Sequence, residues 1–559
     1  MPDKDVLAAD RRSAHFAAEG VQCTLGDRVV LRNISLTVAG GERIGLIGEN
    51  GRGKSTLLRV LAGDLPAERG EVLRAVPGRL GFLPQQPDFP AGTTVADVVA
   101  EARSAVAELA AQLHALEGAM TGDVADLPAL LAEYGDLQEE FTRLGGWEAE
   151  ARSGEALDVF GLGSVDRERP TSTLSGGERA RLALAALVLR EPAGLLLDEP
   201  TNHLDDRAVD WLVRWLSEYT GPCLIASHDR VLLDAAATVI VDLDGPRGEA
   251  VRYGGNYRDY LDEQARARAR WEQRYREWAG EVGQARARLD GAGKSAAGRG
   301  PRDNNKLAYN AAGSAAEAAA ARATRAAHRQ LAVLLENRIP RPPEPLRFTA
   351  VTADETAEAG REVLLSAEDV VVGNVLRGVD LQLSAGERLV VAGPNGSGKS
   401  TLLRTLAGIV PPDRGKVVRT PGARIGYLPQ EVDFGADGRS LLDAFAARRE
   451  TYREDAAAEL VRFGLFRRRD FEVPVNRLSV GQQRRLSLAL LFAVGPDVLL
   501  LDEPTNHLSL LLVEQLEQAV AEFPGPVVLV THDRTVRERY EPRVRVLADG
   551  RLAPSGYRM

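Results

Sequence analysis

The sequence predicts an α/β protein made of two tandem copies of one domain, joined by a helical hairpin. Three observations lead there. The segment VLRNISLTVAGGERIGLIGENGRGKSTLLRVLAG from Val30 recurs, without a gap, as VLRGVDLQLSAGERLVVAGPNGSGKSTLLRTLAG from Val375, an offset of 345 residues. In each copy, apolar runs such as RIGLIG and GLLLD read as buried parallel strands and alternate with helical segments, the pattern of an α/β core. Between the copies lies a polar stretch rich in Arg and Ala.

The repeat sets the domain plan. GFLPQ, ending at Gln85, matches GYLPQ, ending at Gln430, at the same offset. Later blocks match at 304: LSGGE at Leu174 with LSVGQ at Leu478, LLLDEPTNHL at Leu195 with its twin at Leu499, and SHDR at Ser227 with THDR at Thr531. The first copy therefore holds 41 extra residues (345 minus 304) between these blocks. Copies this long are duplicated domains, not a solenoid array. The expected layout is a tail over 1–15, a first domain over 16–250 with a short insertion near 113–151, a linker over 251–345 and a second domain over 346–559.

Composition narrows the class. Apolar residues make up 44% and charged residues 27% of 559, as in globular proteins. No apolar run approaches the roughly 18 residues a membrane helix needs, and MPDKDVLAADRR has no signal-peptide core, so the chain is expected to be cytoplasmic with no membrane domain. Cys23 and Cys223 are too far apart for a local metal motif and read as small core residues. Only six lysines stand among the 70 basic residues, which makes Lys4, Lys54, Lys294, Lys306, Lys399 and Lys416 informative.

Two of those lysines lie in glycine-rich loops. Gly48-Glu49-Asn50-Gly51-Arg52-Gly53-Lys54-Ser55, followed by Thr56, and Gly393-Pro394-Asn395-Gly396-Ser397-Gly398-Lys399-Ser400, followed by Thr401, both match G-x-x-x-x-G-K-[ST]. Glycines let the backbone N–H groups turn towards phosphate oxygens, the lysine places a compact charge at the β and γ phosphates, and Ser55 or Ser400 offers a hydroxyl to magnesium. Each loop follows an apolar strand and opens a helix, as phosphate binding requires. Asp198 and Glu199 end one apolar strand, and Asp502 and Glu503 another. The aspartates suit magnesium, and the glutamates suit orienting or deprotonating the attacking water. His228 and His532 each follow their glutamate by 29 residues and suit contact with a γ-phosphate or that water.

LSGGE and LSVGQ, with the LPQ segments and the DEPTNHL runs, resemble the ATP-binding cassette superfamily across nearly the whole chain outside the linker. The resemblance implies two ABC-type P-loop ATPase domains forming an intramolecular head-to-tail sandwich in a monomer, with ATP and Mg2+ at two seams. Ser479, Gly481 and Gln482 would complete the Lys54 site, and Ser175, Gly176, Gly177 and Glu178 the Lys399 site. Gln85 and Gln430 would sense magnesium and the γ-phosphate. Three departures stand out: Val480 replaces a signature glycine, Ser509 stands where the first copy has Asp205, and Leu25 and Val372 occupy the places of the usual adenine-stacking aromatics.

The linker has its own pattern. Trp271, Tyr275, Trp278, Val282, Ala285 and Leu289 are spaced 4, 3, 4, 3, 4, a coiled-coil seam, and Ala316, Ala320, Ala323 and Ala327 offer a facing stripe. One helix is expected from 256 to 289, about 50 Å long, then a loop over 290–312, an alanine-rich helix to 337, and the stop signal IPRPPEP. From 265 to 329 there are fourteen basic and six acidic residues, net +8, in a chain of net −10. A basic hairpin on an acidic protein suits a phosphate backbone. Lys294, Arg299, Arg302, Lys306, Leu307 and Tyr309 lie in the expected loop and suit RNA contact and stacking.

YGGNYRDY at Tyr253 and this two-helix linker resemble the ABC-F family of ribosome-binding ATPases. That resemblance implies a hairpin that enters the ribosome near the peptidyl transferase centre, with large-subunit RNA and peptidyl-site transfer RNA as partners. The 23-residue loop, LSVGQ and the GC-rich composition resemble the macrolide-type resistance members of antibiotic producers. Two rivals remain: a housekeeping factor that relieves stalled ribosomes, and the ATPase subunit of an antibiotic exporter.

Overall fold

The computed structural model describes residues 14–553 except 27, 50, 77–79, 121–126, 246–248, 297–305, 347–362, 395, 433, 436 and 532; side chains are also outside the description at 28, 143, 291–296, 306–320 and 542. The chain divides into two compact units, one of residues 1–260, 346–460 and 465–559, the other of residues 261–345 with 461–464.

The first unit holds both copies. In the first, a six-stranded sheet runs Gly81–Leu83, Leu195–Asp198, Cys223–Ala226, Arg43–Ile47, Val239–Asp242, Val251–Gly254, all parallel except the last pairing. The second copy repeats it as Ile425–Leu428, Val498–Asp502, Val527–Val530, Arg388–Ala392, Val544–Ala548, Arg551–Ala553. The strands Leu195–Asp198, Cys223–Ala226, Val498–Asp502 and Val527–Val530 are buried on every residue, which is why they read as unbroken apolar runs. Each copy adds a three-stranded antiparallel sheet, such as Arg28–Ala39, His15–Leu25, Arg69–Ala75, that the parallel-strand reading did not anticipate. Its inner face packs Phe16, Val21 and Leu31 onto the helix Lys54–Ala62. Both cysteines are buried.

The 41-residue insertion forms paired helices, Ser104–Ala119 and Leu127–Arg143, joined by a Tyr134–Glu117 hydrogen bond of 2.9 Å, and Phe141 of the second packs edge-on against Trp147 in the turn that follows it. The pair opens nine residues before the expected 113 (113 minus 104).

The second unit is the hairpin. Tyr257–Ala296 is one helix and Lys306–Glu336 another. The loop expected over 290–312 is thus shortened from both sides: backbone is helical through 296 and again from 306. Glycine in a helix costs only about 1 kcal/mol relative to alanine, which extension of an existing helix absorbs, and KLAYNAA is made largely of good helix formers. All six expected seam residues, Trp271 to Leu289, are half-buried or buried, with Val282 and Ala285 fully so. Trp271 donates to Pro340 O at 2.9 Å and Trp278 to Leu334 O at 2.8 Å. Of the expected facing stripe, Ala316 and Ala320 have side chains outside the described residues, and the other two positions split. Ala327 is buried but Ala323 is exposed, and the inward face runs through Thr324, Ala327, Leu331 and Leu334. Large side chains opposite the tryptophan end fill more space than alanines would. Among the described residues, no helix is long and apolar enough to cross a membrane.

Candidate functional site

Each phosphate loop is placed by a central strand. Arg43–Ile47 and Arg388–Ala392 end where Gly48 and Gly393 turn, and the helices Lys54–Ala62 and Lys399–Leu406 begin at the lysine. Gly53 and Gly398 sit at φ of 97° and 102°. A Cβ at Gly53 would lie 2.6 Å from a Leu31 methyl, so neither the angle nor the space admits a side chain. Lys54 is 7% exposed; its Nζ donates to Gly48 O at 2.6 Å and stands 3.0 Å from His228 Nε2. Lys399 Nζ donates to Gly393 O and Pro394 O at 2.8 and 2.9 Å. Both loops hold their lysine over their own carbonyls, where an arriving phosphate would exchange with them. Asn50 and Asn395 lie outside the described residues.

Parallel register assembles the rest. Asp198 pairs with Ala226 and Asp502 with Val530, so the residue after each aspartate meets the loop after the neighbouring strand. Glu199 Oε2 accepts the His228 backbone N–H at 3.2 Å, and Glu199 Oε1 is 3.6 Å from His228 Nε2. Lys54, Ser55, Asp198, Glu199 and His228 thus form one cluster. Lys399, Ser400, Asp502 and Glu503 form its counterpart; His532 lies outside the described residues. Both glutamates have left-handed backbone, at φ 51° and 45°, as do His203 and His507 at 67° and 64°. Such conformations cost non-glycine residues about 1–3 kcal/mol and gather at functional sites.

Burial sets the charges. It raises the Glu199 carboxyl to about 7 against the pull of Lys54, and raises Asp198 with it. It lowers Lys54, whose carboxylate neighbours, Glu199 first, oppose the change. Burial, with Lys54 and His507, pushes His228 down to about 3, so the imidazole is neutral and its Nε2 accepts from the Lys54 ammonium. In the second cluster burial raises Asp502 and lowers Lys399. The Asp502 oxygens complete no hydrogen bond of normal geometry among the described residues, although the Ser400 hydroxyl lies beside them. A buried carboxylate facing a hydroxyl in this way suits a cation.

The two copies face each other. A cavity of about 1040 Å3 is lined by Gln85, Glu199 and His228 of the first and by Pro394, Glu503 and His507 of the second, among others. Arg485, in the helix after the second signature, grips Glu49 of the first phosphate loop at 2.8 and 3.2 Å, beside Ser479 and Gly481. The mirrored position to Glu49 is Pro394, which has no carboxylate for Arg181, so this ion pair belongs to one seam only. Ser175 and Ser479 cap the helices Gly176–Arg190 and Val480–Val494, and Glu178 and Gln482 return to the cap backbone at 2.7 and 2.9 Å, which engages their side chains locally. Gln430 is exposed, as are Leu25 and Val480, while Val372 is half-buried against the core. Backbone at Lys294, Lys306, Leu307 and Tyr309 is helical, with side chains outside the described residues; Arg299 and Arg302 lie outside them altogether.

The sequence reading missed Arg484. It is 2% exposed and donates to Asp502 O and Glu503 O at 2.8 and 2.7 Å, holding the left-handed strand end in place. Its counterpart is Ala180, so comparing the copies position by position would have flagged it. It also missed His203 and His507, which the identical DEPTNHL runs contain.

Comparison with known proteins agrees with this geometry. The family model described as ABC transporter matches residues 31–202 and 376–506. The chain is 42% identical to the Tylosin resistance ATP-binding protein TlrC of Streptomyces fradiae, over 94% of this chain and 96% of that one. It is 32% identical to the Energy-dependent translational throttle protein EttA of Mycobacterium tuberculosis, over 94% of this chain and 89% of that one. A crystal structure of an archaeal ribosome recycling factor in complex with a ribosomal stalk protein shares the fold, with a TM-score of 0.54 at 21% identity over 96% of this chain and 89% of that one. The chain is an ATP-hydrolysing enzyme, and it belongs to the ABC-F family of ATP-binding cassette proteins.

Proposed function

We propose that this chain is a cytoplasmic ribosomal protection protein: ATP closes its two cassettes, and its hairpin reaches towards the peptidyl transferase centre and dislodges an antibiotic. The observation that carries the reading is similarity to a tylosin resistance protein that runs through the linker as well as the cassettes, at 42% identity over 94% of the chain. A basic linker in an acidic chain supplies the electrostatics for ribosomal RNA and peptidyl-site transfer RNA. Domain limits of 16–250, 251–345 and 346–559 follow from the repeat, and the working form is a monomer.

Within each site, Lys54 or Lys399 and the loop amides hold the phosphates, and the opposite signature residues close over them. Glu199 or Glu503 takes a proton from the attacking water, and His228 or His532 contacts the γ-phosphate. Ser55 with Asp198, and Ser400 with Asp502, would hold Mg2+, with Gln85 and Gln430 beside it. When bound, that ion neutralises charge on the β and γ phosphates. A neutral His228 donates one hydrogen bond to phosphate after its Lys54 contact is exchanged.

A second reading, a translation factor acting without any drug, is favoured by the 32% identity to a translational throttle protein. One experiment separates the two. A sensitive host expressing this chain is exposed to a panel of peptidyl-transferase and exit-tunnel antibiotics. Resistance is expected to at least one macrolide-class drug and to depend on Glu199 and Glu503. Unchanged susceptibility to every drug, with altered recovery of stalled ribosomes, would replace the first reading with the second.

A further inference from the structure

The loops that carry the histidines are tied to each other. Asp229 caps the helix Arg230–Ala236, accepting the Val231 and Leu232 amides at 2.9 and 3.1 Å, and Asp533 caps Arg534–Arg539 through Thr535 and Val536 at 2.9 and 3.3 Å. Each cap fixes the direction in which the following arginine departs. Arg230 crosses into the second cassette. Its Nη1 donates to Glu514 Oε1 at 2.9 Å, and its Nη2 lies 2.5 Å from Glu517 Oε1 and 2.7 Å from Asp533 Oδ2. The side chain is 5% exposed. Arg539 holds the other Glu517 oxygen at 2.7 Å, and Tyr257, the first residue of the long linker helix, lies against Glu514.

The mirrored contact is weaker. Arg534 pairs with Asp210 at 2.6 Å and with Glu538 of its own helix at 2.9 Å, and it is 31% exposed. Val213 stands where Glu517 would be. A single arginine, two residues after His228, therefore binds the loop one residue after His532 from within a buried nest of three carboxylates. Moving it alone would take the arginine from Glu514 and Asp533 and leave Glu517 with Arg539 only, so the two loops shift together.

We propose that Arg230 is a positioning residue that couples the two ATP sites, transmitting movement of the His228 loop at one site to the Asp533 loop at the other. The proposal rests on reading His228 as a phosphate contact. Double-mutant cycles on steady-state hydrolysis by the full chain test it. Losing one of two independent sites removes only that site's share of turnover, about half or somewhat more for the faster one, so in the otherwise unchanged chain a coupled Glu503→Gln is expected to cost about tenfold. With Arg230→Gln present, Glu503→Gln is expected to cost only about twofold, at little change in KM. Arg230→Lys keeps the charge without the fork and should fall between. Asp210→Asn, which breaks the mirrored pair, should leave the tenfold factor intact. An unchanged factor in the Arg230→Gln background overturns the coupling. If Arg230→Gln does not fold, Glu514→Gln with Glu517→Gln is read for the same ratio. His228→Ala tests the premise separately: near-normal turnover there sinks the histidine reading, whereas lost turnover there with an unchanged ratio sinks the coupling alone.

Discussion

At Glu199, a carboxylate and a left-handed backbone are both held at the end of a buried strand, and its pKa makes the cost measurable. The carboxyl titrates at about 7 in the folded chain against 4.5 for the free side chain. Below pH 4.5 it is neutral folded or unfolded. As pH rises from there through 7, the unfolded chain releases the proton first and stability falls. Above pH 7 the full penalty stands, on the order of 3 kcal/mol. Glu199→Gln never ionises, so it should raise the unfolding temperature at pH 8 and leave it unchanged at pH 4; equal effects at both pH values would show that ionisation is not the cause. The same residue bears on mechanism. Glu199→Gln with Glu503→Gln should keep ATP binding, abolish hydrolysis and hold the protein on ribosomes, and normal release in sedimentation would remove both glutamates from catalysis. Between the single variants, Glu199→Gln should cost less turnover, because Val480 replaces the glycine facing the Lys54 site; a larger loss than from Glu503→Gln would reverse that order.

At the scale of elements, matched helices differ in their first residue. Asp205 accepts the Ala208 amide at 2.8 Å and caps Asp206–Glu218, whereas Ser509 makes no side-chain cap for Leu510–Glu522. Asp205→Ala should therefore cost about 1 kcal/mol and Ser509→Ala almost nothing, read from denaturant midpoints; equal losses would mean that Ser509 has a partner in solution. The hairpin carries the other element-scale test. Replacing residues 290–312 with a short Gly/Ser turn removes the tip and about two turns of each helix. ATP hydrolysis and much of the ribosome affinity should remain, because most of the basic residues lie on the helices, while antibiotic protection should vanish. Leu307→Ala or Tyr309→Ala should weaken protection unevenly across drugs. Full protection by the loop-replaced protein would mean that the tip is not the effector.

Across the whole molecule, the seams are not equivalent. One carries the Glu49–Arg485 ion pair and the other a proline, and Arg230 reaches three carboxylates where Arg534 reaches two. Duplicated cassettes have thus diverged at their contacts while keeping identical DEPTNHL cores.

The phosphate loops, the strand-end carboxylates and the tandem plan were legible in the sequence because each is local: a strand, a turn and a helix written in consecutive residues, and written twice. The hairpin seam was legible for the same reason, through the spacing of Trp271 to Leu289. The helix ends around 290 and 306 were not, since glycine and asparagine signal a turn whose cost a long helix can absorb. Nor was the inward face of the return helix, which depends on what stands opposite each position. Only tertiary structure decided which residues of one copy meet the other. Arg230, Arg484 and Arg485 look alike in the chain, three arginines among many. The parallel register and the facing of two domains separate them, burying one among carboxylates, one against the carbonyls of a strained strand end, and setting the third against a phosphate loop more than four hundred residues away.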